Sequence, residues 1–167
     1  MRVEILESSI ETSALKPFSD VAVERALKNF FAAVSSDDSL FTAESSGATI
    51  SSDPTDQQQT CAAKFAVSFR DEQQAANRSL HFSLIEKLTE LLKAAGSAES
   101  LSAMLSLVPA RNEHSPKTAL ALWMRLEAKG SSPEQAALRW GLGLAHLQQA
   151  LLFLSRYLRQ QIGQSGD

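Results

Sequence analysis

The chain has 167 residues, 44% of them hydrophobic and 21% charged, with a net charge of −3. That is enough for one domain with a real core and too short for two full ones. The small negative balance argues against a general nucleic-acid coat protein, and a single cysteine, Cys61, excludes an intramolecular disulfide or a cysteine-rich zinc site.

Residues 1–16 mix apolar residues with Ser, Thr and Glu without a sustained period. Arg2 to Glu7 reads as a short strand or an irregular start. Glu4, Glu7 and Glu11 interrupt the region where a cleaved secretory signal needs an apolar run. The first fourteen residues resemble bacterial type III export signals in composition, a compositional likeness only. From Pro17 to Val34 the chain reads as helix, with Val23, Leu27, Phe30 and Val34 on one face and Phe31 widening it.

No basic residue occurs between Lys28 and Lys64, and residues 35–60 are rich in Ser, Thr, Asp and Gln. Such a composition buries little apolar surface against its ordering entropy, so a long loop is expected, with Ala48-Thr49-Ile50 at best a short strand. Asp53-Pro54 reads as a helix start. Residues 54–76 are ambiguous: Phe65, Val67 and Phe69 alternate as in a strand, while their Ala/Gln-rich flanks favour the helix adopted as the expectation. Residues 79–95 read as helix through Leu80, Leu84, Leu88, Leu91 and Ala95, ended by Gly96. Ser97 to Val108 reads as a short helix stopped by Pro109.

Three further helices are expected. Ser115-Pro116 opens the first and Gly130 closes it; Ser132-Pro133-Glu134 opens the second and Gly141-Leu142-Gly143 breaks it; Leu144 to Ile162 forms the third. The first two each place one tryptophan, Trp123 and Trp140, where a core would take it. The third is apolar over an unusually wide arc. Leu144, Leu147, Leu151, Leu154 and Leu158 form one stripe, with Ala150, Phe153 and Tyr157 forming a second. The longest purely apolar run, Ala150 to Leu154, falls far short of a membrane span.

Residues 136–150, with small Ala137, Gly141 at the turn, and Leu147 and Ala150 packing back, resemble a helix-turn-helix unit. Around His146-Leu147-Gln148 the wording is similar to regulators of the AraC type. That resemblance implies DNA binding over residues 132–162, with Gln148 and Gln149 reading bases and Arg139, Arg156 and Arg159 touching phosphates. No second copy of the unit has room, and the would-be recognition face has no basic residue before Arg156.

No enzymatic constellation stands out. His81, His114 and His146 are far apart and lack partners at metal-ligand spacing. Cys61 has no basic neighbour to activate it, and Glu86 and Glu90 sit beside Lys87 and Lys93 on a solvated face. No cofactor, metal or small-molecule substrate is implied. The acidic front (ten Asp/Glu against four Lys/Arg over residues 1–60) and basic back (seven Lys/Arg against four Asp/Glu over 111–167) fit a solvated surface.

The overall expectation is an all-α, irregular bundle of about five to seven helices. An acidic, flexible region over 1–60 would precede a helical domain over 61–167. The function expected is that of a cytoplasmic, non-enzymatic interaction protein: an adaptor, a chaperone-like helper or a subunit of a bacterial assembly. It would dock a protein partner or itself through Leu147, Leu151, Leu154, Tyr157 and Leu158. A helix-turn-helix transcription regulator is the alternative.

Overall fold

The computed structural model describes residues 1–5, 21–52, 58–95, 101–110 and 119–164. In chain order these form β1 (Arg2–Ile5), α1 (Val21–Val34), β2 (Phe41–Ser52), β3 (Gln59–Phe69), α2 (Glu72–Ala75), α3 (Arg78–Ala94), β4 (Leu101–Ala110), β5 (Ala119–Gly130) and α4 (Pro133–Gln164). The strands make one sheet in the order β1-β4-β5-β3-β2. Four of them are antiparallel, and β1 joins β4 in parallel at one edge. The protein is therefore α+β, and the expected all-α bundle is corrected.

The corrected segments carry a period of two. In β5, Leu122, Met124, Leu126 and Ala128 are buried, whereas Trp123, Arg125, Glu127 and Lys129 between them are only partly so. In β4, Leu101, Ala103 and Leu105 lie opposite Ala128, Leu126 and Met124. In β3, Cys61, Ala63, Phe65, Val67 and Phe69 continue the same inner face. Successive strand side chains point to opposite sides, so this alternation builds one apolar face. Residues 101–110 and 119–130 are thus strands where helices were expected, and β3 replaces the helix expected over 54–76. The long loop expected over 35–60 contains β2, paired to β3 from Phe41↔Phe69 to Ser52↔Gln59 with a register shift between Ser45 and Gly47. Such a bulge is ordinary for an edge strand. The cues at Ser115-Pro116, Asp53-Pro54 and Gly96 lie outside the described residues, as does His114.

The helices lie on the apolar face of the sheet, with α4 packed against β5 and β3 and flanked by α1 and α3. The expected helix ending at Val34 is present as α1, and Val23, Leu27, Phe30 and Val34 are its buried residues. The expected helix over 79–95 is present as α3. It starts at an Asn77 cap whose side chain accepts from the Leu80 amide, and it buries His81, Leu84, Ile85, Leu88 and Leu92. Phe30 meets Phe65 at 5.1 Å between ring centroids and Phe41 meets Phe69 at 5.1 Å, knitting α1, β2 and β3 into one core.

The largest correction concerns residues 133–164, which form a single 32-residue helix. Its start is as the sequence predicts. Ser132 Oγ accepts from the Gln135 amide (3.2 Å), and Gln135 Oε1 accepts from the Ser131 amide (2.7 Å) and hydroxyl (2.9 Å). It then runs straight through Gly141-Leu142-Gly143. Without a turn there is no helix-turn-helix unit, and the three-helix C-terminal arrangement is withdrawn with it. Gly143 serves packing: a Cβ there would lie 2.7 Å from Leu101 Cδ1, so its absence lets α4 approach β4.

Candidate functional site

Helix α4 spans about 48 Å at 1.5 Å per residue, and its two sides differ. Leu144, Leu147, Leu151, Leu154 and Leu158 are buried against the sheet, together with Ala136 and Trp140. Trp140 is fully enclosed and its indole N–H donates to the Leu126 carbonyl at 3.2 Å. Four of the five residues expected at a protein interface, Leu147, Leu151, Leu154 and Leu158, therefore hold the core of their own chain. Each contributes about 1.5–3 kcal/mol there through burial. Only Tyr157, 38% exposed, faces outward. Trp123 also departs from expectation: it lies half-buried on the opposite face of β5 from the core.

The outward side of α4 is where apolar surface is left in water. Seven large hydrophobic residues are exposed among the described residues, all on helices, and five of them belong to α4: Leu138, Leu142, Phe153 and Tyr157 on its outward side, and Ile162 near its end on the azimuth of buried Leu144. At 100° per residue, Leu138, Leu142, Ala145, Gln149 and Phe153 follow one line along the helix. Tyr157 stacks on Phe153 with ring centroids 6.5 Å apart and planes 10° from parallel. Periodicity reveals the second stripe of Phe153 and Tyr157. The Leu138–Leu142 end was missed because the expected break at Gly141 hid the continuity of the line.

Beside the N-terminal half of this ridge runs an open apolar groove of about 470 Å³, lined by Ala22, Val23 and Ala26 of α1 and by Ala137, Leu138, Gly141 and Leu142 of α4, with Glu134 at its end. Gly141 leaves space that a side chain would fill, since nothing lies within 4 Å of a Cβ built there. Val21, 66% exposed, continues the apolar surface onto α1. The Glu134 carboxyl is held below the usual glutamate range, first by its own backbone amide and then by the Ser132 hydroxyl. On the other flank, the Lys87 ammonium of α3 is held above the usual lysine range by its hydrogen bond to Glu90 (3.0 Å) and that carboxylate's charge. Glu86 and Tyr157 add to the effect.

The C-terminal half of α4 is pinned from below. The Leu40 amide donates to the buried Ser155 hydroxyl at 2.8 Å, and Arg159 Nη2 donates to the Asp38 carbonyl at 2.7 Å. Of the residues expected to contact DNA, Arg139 donates to the Lys129 carbonyl at 2.7 Å and is half-buried, as is Gln148. Gln149, Arg156 and Arg159 are exposed on the same continuous helix. They share no recognition helix following a turn.

Elsewhere, His81 is buried, with Nδ1 2.8 Å from the Asn77 carbonyl and Nε2 3.1 Å from the Leu120 carbonyl, and its ring packs edge-on against Phe69 at 5.0 Å. It joins the start of α3 to β5. Cys61 is buried in β3. Among the described residues no cluster of His, Cys, Asp or Glu is placed to hold a metal ion, and no helix is long and apolar enough to cross a membrane. No protein-family model, no curated protein and no solved structure matches the chain.

Proposed function

We propose that the protein is a non-enzymatic, cytoplasmic interaction module whose docking surface is the outward ridge of α4 together with the groove between α4 and α1. One observation carries this reading. Exposed large apolar side chains concentrate on a single helix, whose inward stripe is already spent on the core. An apolar patch of this kind, rimmed by polar residues, is the surface a partner protein desolvates. Single exposed leucines need no explanation; a line of them ending in a stacked aromatic pair does. Aromatic anchors of this type dominate binding energy at protein interfaces. The adaptor, chaperone-like and assembly-subunit roles all use such a surface.

The test is retention. Immobilised protein is incubated with lysate, and bound proteins are quantified against a Leu142→Asp/Phe153→Asp variant whose melting curve is first shown to match wild type. Retention by the wild type that disappears in the variant supports docking through the ridge. Equal retention by both, or none by either from a lysate that also holds tagged copies of the same chain, removes the reading.

A further inference from the structure

Resting on the docking role of this ridge, we propose that its occupant is a second copy of the same chain, packed so that the two α4 helices run antiparallel about a two-fold axis centred between Leu147 and Gln148. A two-fold interface must be self-complementary, each residue meeting its counterpart across the axis. The ridge has that property. Leu142 and Phe153 lie equally far from the centre, as do Leu138 and Tyr157, while short Ala145 and flexible Gln149 occupy the middle. Antiparallel pairing therefore sets the leucine end of one ridge against the aromatic end of the other. The small residue between them lets the helices approach to the usual 8–10 Å.

Charge selects the same direction. Exposed Glu134 stands at the start of α4, whereas exposed Arg156 and Arg159 stand near its end. In the antiparallel arrangement Glu134 of one copy faces Arg159 of the other, with Arg156 about two turns of helix away or less. A parallel arrangement would instead set arginines against arginines and Glu134 against Glu134. Arg156 comes level with Arg139 of the other copy, whose guanidinium is already turned back to the Lys129 carbonyl, so the contact of Glu134 with Arg159 is the one that favours this direction.

The groove fits this arrangement too. A two-fold axis perpendicular to the plane of both helices keeps the α1 side of one copy facing the α1 side of the other. Leu152, half-buried in the single chain, then comes opposite the groove beside Gly141, which has room for it. The dimer covers Leu138, Leu142 and Phe153, which the lone chain leaves 67%, 57% and 56% exposed.

The experiment joins native mass with cysteine crosslinking of the whole chain. Sedimentation across a concentration series should give a particle of twice 18.1 kDa. Leu142→Asp should weaken the association by roughly 30-fold or more, as for an interface hot spot. Gly141→Leu, whose Cβ has no neighbour within 4 Å and whose side chain enters the groove, should weaken it while the chain stays folded by circular dichroism. Under mild oxidation Gln149→Cys should crosslink to itself. Leu142→Cys and Phe153→Cys should each remain uncrosslinked alone, being about 16 Å out of register with their own copies, yet should crosslink when mixed. Self-crosslinking by each single variant would mean parallel packing and overturn the proposal. So would a particle of one chain's mass at every concentration. That last result leaves the lysate comparison to decide the docking role by itself, so the two readings fall separately.

Discussion

The two outer surfaces of the molecule make opposite use of alternating residues. On the open face of the sheet, Lys64, Arg125, Glu127 and Lys129 share the positions between the core residues with Met104, Trp123 and several alanines, and none of these side chains is exposed. Lys64 pairs in register with Arg125, which pairs in turn with Met104, and Arg125 binds Glu127 at 2.8 Å along its own strand. Among the residues whose side chains are described, none of the exposed large hydrophobic ones is on a strand. On the helical side, α4 carries apolar residues toward both the sheet and the solvent. An antiparallel sheet with one wet face is stable with polar residues there. A helix has no corresponding need for a second apolar stripe once the first is buried. The sheet's outer face therefore explains itself through folding, and the ridge of α4 does not. That contrast is what supports the proposal that docking uses the helices.

The comparison can be broken most directly inside α4. Leu151→Asp places an unpaired carboxylate at a position with no exposure and should cost several kcal/mol, enough to abolish the cooperative melt. Phe153→Asp, only two residues on but on the ridge, should move the stability of the single chain, measured at concentrations where it is unassociated, by no more than about 0.5 kcal/mol. Circular dichroism melts of the two variants check this. Equal destabilisation by both would mean that the ridge is structural.

Two glycines sharpen the point at a smaller scale. A Cβ on Gly130 would lie 2.6 Å from the Ala136 backbone nitrogen, so Gly130→Ala must push the β5–α4 connection apart and should cost about 1–3 kcal/mol. Gly141→Ala meets nothing and should stabilise the chain by about 0.5–1 kcal/mol, the ordinary gain of alanine over glycine within a helix. Denaturant midpoints moving in opposite directions would confirm that Gly130 serves the fold and that Gly141 is kept for another reason.

An effect of similar size belongs to the helix start. Ser132→Ala should cost about 1 kcal/mol as a lost cap and should let the Glu134 pKa rise toward its ordinary value, read by NMR titration. The sign follows from the depressed folded value. Stability from this group is present above the unfolded pKa and is lost as pH falls through the folded one. The variant should therefore depend less steeply on pH in the acid range.

How much of this was legible in the sequence depends on the range of the cause. The α1 face, the α3 start and the Ser132 cap are decided within a few residues, and each reads correctly. Strands β4 and β5 are rich in Ala, Leu and Met, which favour helix locally, and strand pairing overrides that preference. Their period of two, Leu122-Met124-Leu126 against Trp123-Arg125-Glu127, was the signal that outweighs composition. In β3 the alternation of Phe65, Val67 and Phe69 marks the strand and outweighs the helix preference of its Ala/Gln flanks. β2 is a Ser- and Thr-rich edge strand that takes its stability from β3, so its own residues announce little.

For Gly141 and Gly143 the local reading, a helix stop, is reasonable, and the deciding contact with Leu101 lies some forty residues away in the chain. The same misreading divided the ridge in two, which is why the candidate interface residues fell on the inward stripe.

An unbroken α4 also acts as a ruler. Its two apolar ends are separated by rigid backbone, held at one end by Trp140 and at the other by the Ser155 and Arg159 bonds to the α1–β2 turn. The spacing offered to any partner is thereby fixed in advance. Recognition along such a rod measures length, and a surface with the right chemistry at the wrong interval gains only half the contact.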